Sequence, residues 1–195
     1  QIYFLSAVNN SNEDIENVKY IFTNQNEALK EKNKFKGFIN GIYNIRAKND
    51  LKRLLLTLNR DETIIHVHGW TKALSCSVID IALKLNFKVI FTLHDYFSVC
   101  PNGGYFNYKK NEICRLNALS WKCIKCNCDS RNYIFKIYRV LRQFVQNKIV
   151  KLPQKINYAI GISDLSISVL IKDLNRDINI KKIYNPINID FKINK

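Results

Sequence analysis

The three histidines of this 195-residue chain fall in two short segments, His66-Val67-His68-Gly69-Trp70 and Thr92-Leu93-His94-Asp95-Tyr96. A neutral imidazole donates one hydrogen bond and accepts another, which suits it to hold a hydroxyl or a phosphate oxygen near pH 7. Asp95 follows His94 directly and is placed either to orient that ring or to meet a ligand hydroxyl. Gly69 permits close approach of backbone to a ligand, and Trp70 offers a flat apolar face for a sugar ring, with core packing as the alternative. Taken as alternating positions of one strand, His66 and His68 are expected on opposite faces, which disfavours a shared metal ion.

Five of the six cysteines, Cys100, Cys114, Cys123, Cys126 and Cys128, crowd into one stretch, whereas a disulfide framework for the whole fold would be spread along the chain. Structural zinc takes four ligands in a tetrahedron and clips loops that have no core of their own. The expected set is Cys100, Cys114, Cys123 and Cys128, with Cys126 of the Cys123-Ile124-Lys125-Cys126 pair competing for the fourth place. Labile loop thiols are the alternative, and a catalytic metal is not expected. Pro101-Asn102-Gly103-Gly104-Tyr105 is turn-rich, and its backbone N–H groups are candidates to face an anion.

Arg131, Lys136, Arg139, Arg142 and Lys148 form the densest basic feature, with Tyr133, Tyr138 and Phe144 interleaved. Two readings stand: an amphipathic helix with aromatics inward and charges solvated, or a surface drawn to acidic lipid or nucleic acid.

These groups need elements to position them. Residues 2–8 form a short apolar, β-rich run closed by Asn9-Asn10-Ser11-Asn12, hence a buried strand and a polar loop. Residues 13–36 show no clear period. Ile45, Leu51, Leu54, Leu55 and Leu58 predict an amphipathic helix over 44–58. Strands follow over 63–68 and 87–93 around a helix over 74–85, and a continuous apolar strand with a helical return indicates parallel pairing in a covered sheet. A helix over 133–151 stops at Pro153. Another strand spans 158–162, Ser163 caps a helix over 164–174, and a last strand covers 181–184. Both histidine segments then sit at carboxyl ends of strands, where open α/β sheets bind ligands.

With 47% hydrophobic residues the chain can bury the core of one α/β domain. Its net charge of +15 favours anionic company, although a chain equally rich in Asn and Ile carries much of its Lys through composition alone. No apolar run reaches the roughly 18 residues that span a bilayer. Without a basic leader the expected location is cytoplasmic, and a chain lacking Met is expected to start at a processed or trimmed end.

The histidine segments, the Cys100-Pro101-Asn102-Gly103-Gly104 run, Cys128-Asp129-Ser130-Arg131-Asn132-Tyr133, Ile162-Ser163 and Tyr184-Asn185-Pro186-Ile187-Asn188 resemble, in order and spacing, family 4 glycosyltransferases of the GT-B fold. The stretch from His-Asp-Tyr to Cys-Asp-Ser-Arg resembles a branch that builds bacterial surface polysaccharides. The resemblance implies the Rossmann-like N-terminal half of such an enzyme over residues 1–185, a three-layer α/β/α domain with a mostly parallel sheet and a Cys-rich loop at 100–130, and the start of an interdomain linker at 186–195. It further implies retaining transfer of a hexosyl unit from a nucleotide-sugar, bound by a second domain, to a saccharide or lipid-linked acceptor. By position His94 resembles the family's histidine near the reacting sugar and leaving phosphate. His68 and Gly69 resemble the loop lining the cleft, and the other expected substrate contacts are Trp70, Asp95, Tyr96, Asn102 and Gly103. Catalysis in this family needs no cofactor or metal; the cysteines would hold structural zinc alone. The implied location is the inner face of the cell membrane. Residues 2–8 resemble the second strand of the family pattern, so the first strand and its glycine-rich loop are expected to be missing. A zinc-clipped basic module that binds nucleic acid is the rival reading, and nucleic acid is the disfavoured partner.

Overall fold

The computed structural model describes residues 1–8 and 15–186. In chain order the elements are β1 (Ile2–Ser6), β2 (Val18–Phe22), α1 (Lys34–Ile42), α2 (Ile45–Leu55), β3 (Ile64–Val67), α3 (Ser77–Lys84) and β4 (Lys88–Leu93). There follow β5 (Phe106–Asn107), β6 (Glu112–Ile113), α4 (Trp121–Lys125), α5 (Tyr133–Val145), β7 (Tyr158–Gly161), α6 (Asp164–Leu170) and β8 (Asn179–Lys182). The protein is α/β, with a four-stranded parallel sheet in the order β3-β4-β7-β8. β1 and β2 form a separate parallel pair, and β5 and β6 a small antiparallel one inside the Cys-rich loop.

β4 reads as an unbroken apolar run because both faces of the central strand are covered, and Val89, Phe91, Thr92 and Leu93 are all buried. α3 packs on α2 and β4 with Val78, Ile79, Ile81 and Ala82 buried. Phe91 is fully enclosed and meets Trp70 edge-to-face at 6.0 Å; burying such a side chain stabilises by about 1.5–3 kcal/mol. Side-chain caps fix the helix starts. Asn44 Oδ1 accepts from Ala47 N–H, Asn132 Oδ1 from Phe135 N–H, and Ser163 and Ser166 form a reciprocal capping box, each cap contributing about 1 kcal/mol.

β1 is not the buried strand expected, since none of Ile2–Ser6 is buried; three further expectations need correction. The stretch 13–36 is not featureless: Val18, Tyr20 and Phe22 build β2 against β1, and α1 opens at Lys34. The last strand runs Asn179–Lys182, two residues earlier than its apolar Ile183 and Tyr184 suggest, and both of those are exposed. The third concerns α5, whose charges are not on the solvent side. Lys136 and Arg142 are only 1% and 8% exposed, while Ile134 and Phe144 are 79% and 52% exposed. The reason lies in the loop after β4, whose carbonyls lack strand partners and must be met by donors. Arg139 donates to Asn102 O, Arg142 to Pro101 O, Gln143 to Ser98 O, and Gln146 to Phe97 O and Ser98 O. Asn9 to Asn12 and Ile187 onward lie outside the described residues.

A candidate histidine site at the strand ends

β3 and β4 are adjacent and parallel, with His66 beside Ile90 and Val67 beside Phe91 in register, so their carboxyl ends open at one edge. Three imidazoles gather there. His68 Nδ1 lies 3.0 Å from His94 Nε2, His66 Nε2 lies 2.7 Å from Thr92 Oγ1, and the His66 and His68 rings are 4.2 Å apart at their centres. The expectation that His66 and His68 face opposite sides is overturned. A strand's side chains repeat every two residues, so positions 66 and 68 share a face.

The His68–His94 contact fixes the protons of both rings relative to each other. If His94 Nε2–H donates, His68 must accept at Nδ1 and carry its proton on Nε2; in the reverse arrangement His94 Nδ1 becomes a donor to a ligand. Desolvation, first, and the neighbouring imidazoles, second, hold the pKa values of His66 and His68 below the ordinary 6.5. Both rings are therefore neutral at pH 7 and act as hydrogen-bonding groups, open to solvent along the edge. Such a cluster suits hydroxyls, and it takes up a proton readily only when an anion approaches.

Asp95 does not orient His94. Its Oδ1 accepts from Phe97 N–H at 2.9 Å and so shapes the turn, leaving His68 as the group that fixes the His94 ring. Gly69 is open, with nothing within 4 Å of where a Cβ would stand. Trp70 is 5% exposed and packs on Phe91, which is the core alternative and not an open stacking face. Tyr96 is half-buried, edge-to-face on Tyr105, with its N–H given to Gly103 O.

Asn102 and Gly103 serve the loop's own structure. Asn102 is buried and its Nδ2 donates to Phe106 O and Cys128 O. Gly103 has φ +72° and donates its N–H to Cys100 O, so that N–H is not available to an anion. One group that sequence reasoning did not single out, Thr92, completes the edge. Thr92 holds His66, and buried Asn44 ties Gln25 Oε1 to Ala73 O through its Nδ2.

The cysteines of the loop form one electrostatic cluster. Burial, above all, pushes the Cys114 thiol up, with Cys100, Cys123 and Cys126 close enough to add to the shift. Burial likewise raises Cys128, against the pull of Lys136 and with Cys126 and Cys100 adding to it. Lys136 Nζ sits 3.5 Å from Cys123 Sγ and 3.3 Å from Cys128 Sγ. A buried ammonium set between two sulfurs calls for a counter-charge, and metal-bound thiolates would supply one. The donor types thus fit zinc. Among the described residues, however, no group of three or more His, Cys, Asp or Glu side chains is arranged to hold an ion, so the closed tetrahedron is not formed. All six cysteines are free. No helix among the described residues is long and apolar enough to cross a membrane.

Comparison with protein-family models, curated proteins and solved structures gives no match.

Proposed function

We propose that this chain is the acceptor-side, Rossmann-like half of a GT-B glycosyltransferase, working at the cytoplasmic face of the membrane in surface-polysaccharide synthesis. It serves the retaining transfer of a hexosyl unit from a nucleoside-diphosphate sugar to a saccharide or lipid-linked acceptor. The observation that carries this reading is the meeting of His66, His68 and His94 at the carboxyl ends of two adjacent parallel strands.

In this reading His94 stands nearest the reacting sugar. Its ring, held by His68, offers one nitrogen as donor or acceptor to an acceptor hydroxyl or to a leaving phosphate oxygen. Gly69 lets the substrate approach the backbone, and the site needs no catalytic metal or other cofactor. The donor nucleotide is held by a second domain. Structural zinc, bound by Cys100, Cys114, Cys123 and either Cys126 or Cys128, would fix the loop that follows β4 and would bring negative charge to Lys136. The burial of Lys136 and Arg142 against the loop counts against the rival nucleic-acid module, because the charges that would meet phosphates are spent inside the protein.

The test is transfer of labelled hexose by this chain joined to a nucleotide-sugar-binding domain. His94→Ala should abolish transfer while leaving the chain folded; undiminished transfer would remove His94 from the chemistry.

A further inference from the structure

α1 turns its small residues inward and its large apolar ones outward. Gly37 and Gly41 are its buried positions, the first against Ala28 O of the 3-10 turn Ala28–Lys30 and the second against the Tyr138 hydroxyl of α5, and a Cβ on either would collide. Phe35, Phe38 and Ile39, grouped on the opposite side at helical spacing, are 76%, 39% and 44% exposed. α5 is built the same way. Lys136, Val140 and Gln143 share its buried face, while Ile134, Leu141 and Phe144 lie on the open one. The two open faces are continuous, because α1 packs on α5 and the rings of Phe38 and Tyr138 meet at 5.1 Å. A contiguous apolar surface of this kind marks an interaction site.

The charge along these helices has one sign. No Asp or Glu occurs from Lys32 to Asn49 or from Ser130 to Ser163, the runs that hold α1 and α5. Lys32, Lys34 and Lys36 are exposed on either side of Phe35 in sequence, and Lys148 is exposed one turn beyond Phe144. The carboxylates that precede α1 are engaged: Glu27 pairs with Lys30 at 3.3 Å, and Glu31 Oε1 accepts from Lys32 N–H. Since Lys136 and Arg142 are buried behind the apolar face, the lysines of α1 set its field. Projecting aromatic and aliphatic side chains flanked by ammonium groups fit the boundary of an anionic bilayer, where apolar groups reach the acyl region and the cations stay among phosphates. A second copy would bring the same unbalanced positive charge to the contact and be repelled.

We propose that the α1–α5 face docks this chain on an anionic phospholipid bilayer, with Phe35, Phe38, Ile134 and Leu141 entering the headgroup boundary and Lys32, Lys34 and Lys36 meeting lipid phosphates. The proposal rests on the glycosyltransferase reading only for its membrane setting. The face lies on helices that carry none of the histidines, so vesicle binding and hexose transfer can fail separately.

The test is co-sedimentation of the whole chain with vesicles of phosphatidylcholine containing about one-third phosphatidylglycerol, against vesicles of phosphatidylcholine alone. Binding to the anionic vesicles should be tighter by about tenfold or more. Phe35→Gln with Phe38→Gln, which leaves the charge unchanged, should weaken that binding by about tenfold or more. Lys32→Gln with Lys34→Gln should weaken it about twentyfold, at roughly fivefold per cation. All four side chains are exposed, so both double variants should keep the parent's urea midpoint. Leu141→Gln, on the other helix, should weaken binding in the same direction. Equal binding to the two vesicle types, anionic binding undiminished by the phenylalanine pair, or no sedimentation at all would overturn the proposal. So would a dimer in vesicle-free solution that the phenylalanine pair dissolves, because a second copy would then be what covers the face.

Discussion

Gly103→Ala separates a structural glycine from a ligand-lining one. Gly103 holds φ +72°, and a Cβ built there would stand 2.4 Å from the Phe97 ring. The ring has little room to retreat, because the Arg142 guanidinium lies 4.6 Å from its centre and that of Arg139 6.0 Å. The left-handed backbone costs an L-residue about 1–2 kcal/mol, and forcing a packed ring aside costs about 1–3 kcal/mol. A loss of about 2–5 kcal/mol is expected, and at a urea slope of about 2 kcal/mol per M the unfolding midpoint falls by about 1–2.5 M. Gly104→Ala is the control. Its Cβ would come 3.1 Å from the Tyr108 hydroxyl, the end of a side chain that is 49% exposed and free to move, and its φ is ordinary, so it should cost under about 1 kcal/mol. If the two variants unfold at the same urea concentration, the conformational argument for Gly103 is wrong.

Three further outcomes follow from the same geometry. His66 and His68 have pKa values depressed in the folded chain, so their contribution is present above the ordinary 6.5 and is lost as pH falls through the folded values; His66→Gln with His68→Gln should flatten the fall in urea midpoint between pH 7.5 and 5.5, and an unchanged slope would remove these rings as its cause. His68→Ala should change the tautomer balance of His94, visible in its imidazole nitrogen shifts, whereas Asp95→Asn should leave them in place; the opposite pattern would return the orienting role to Asp95. Chain purified with zinc present should retain one metal ion per molecule by elemental analysis, and Cys123→Ser should release it; absence of metal would leave the loop a cluster of free thiols.

Much of the architecture was legible where local pattern and environment agree. β4 announces itself because Val89, Ile90 and Phe91 belong to a strand covered on both faces, and α2 because its leucines recur at helical spacing. β2 was missed because Lys19 interrupts a run only five residues long, flanked by polar segments. The separation of β1–β2 from the four-stranded sheet depends on strand neighbours far apart in sequence, which no local period encodes. The histidines lie at strand ends, and the strand period of two puts His66 and His68 on one face, whereas the approach of His94 depends on the pairing of β3 with β4. Asp95, Asn102 and Gly103 have the residue types of ligand contacts, yet the loop's own backbone claims them. Lys136 and Arg142 look like surface charges until the unpartnered thiols and carbonyls beneath α5 are placed.

The most direct measurement of the central claim is an imidazole nitrogen NMR titration of the whole chain with a hexosyl phosphate and with a neutral trisaccharide. Specific, saturable shifts at His68 and His94 with both ligands, smaller at His66 and absent for His94 in His94→Ala, are expected of an acceptor site at this edge. Shifts with the phosphate alone that disappear in moderate salt, or none at all, would contradict it.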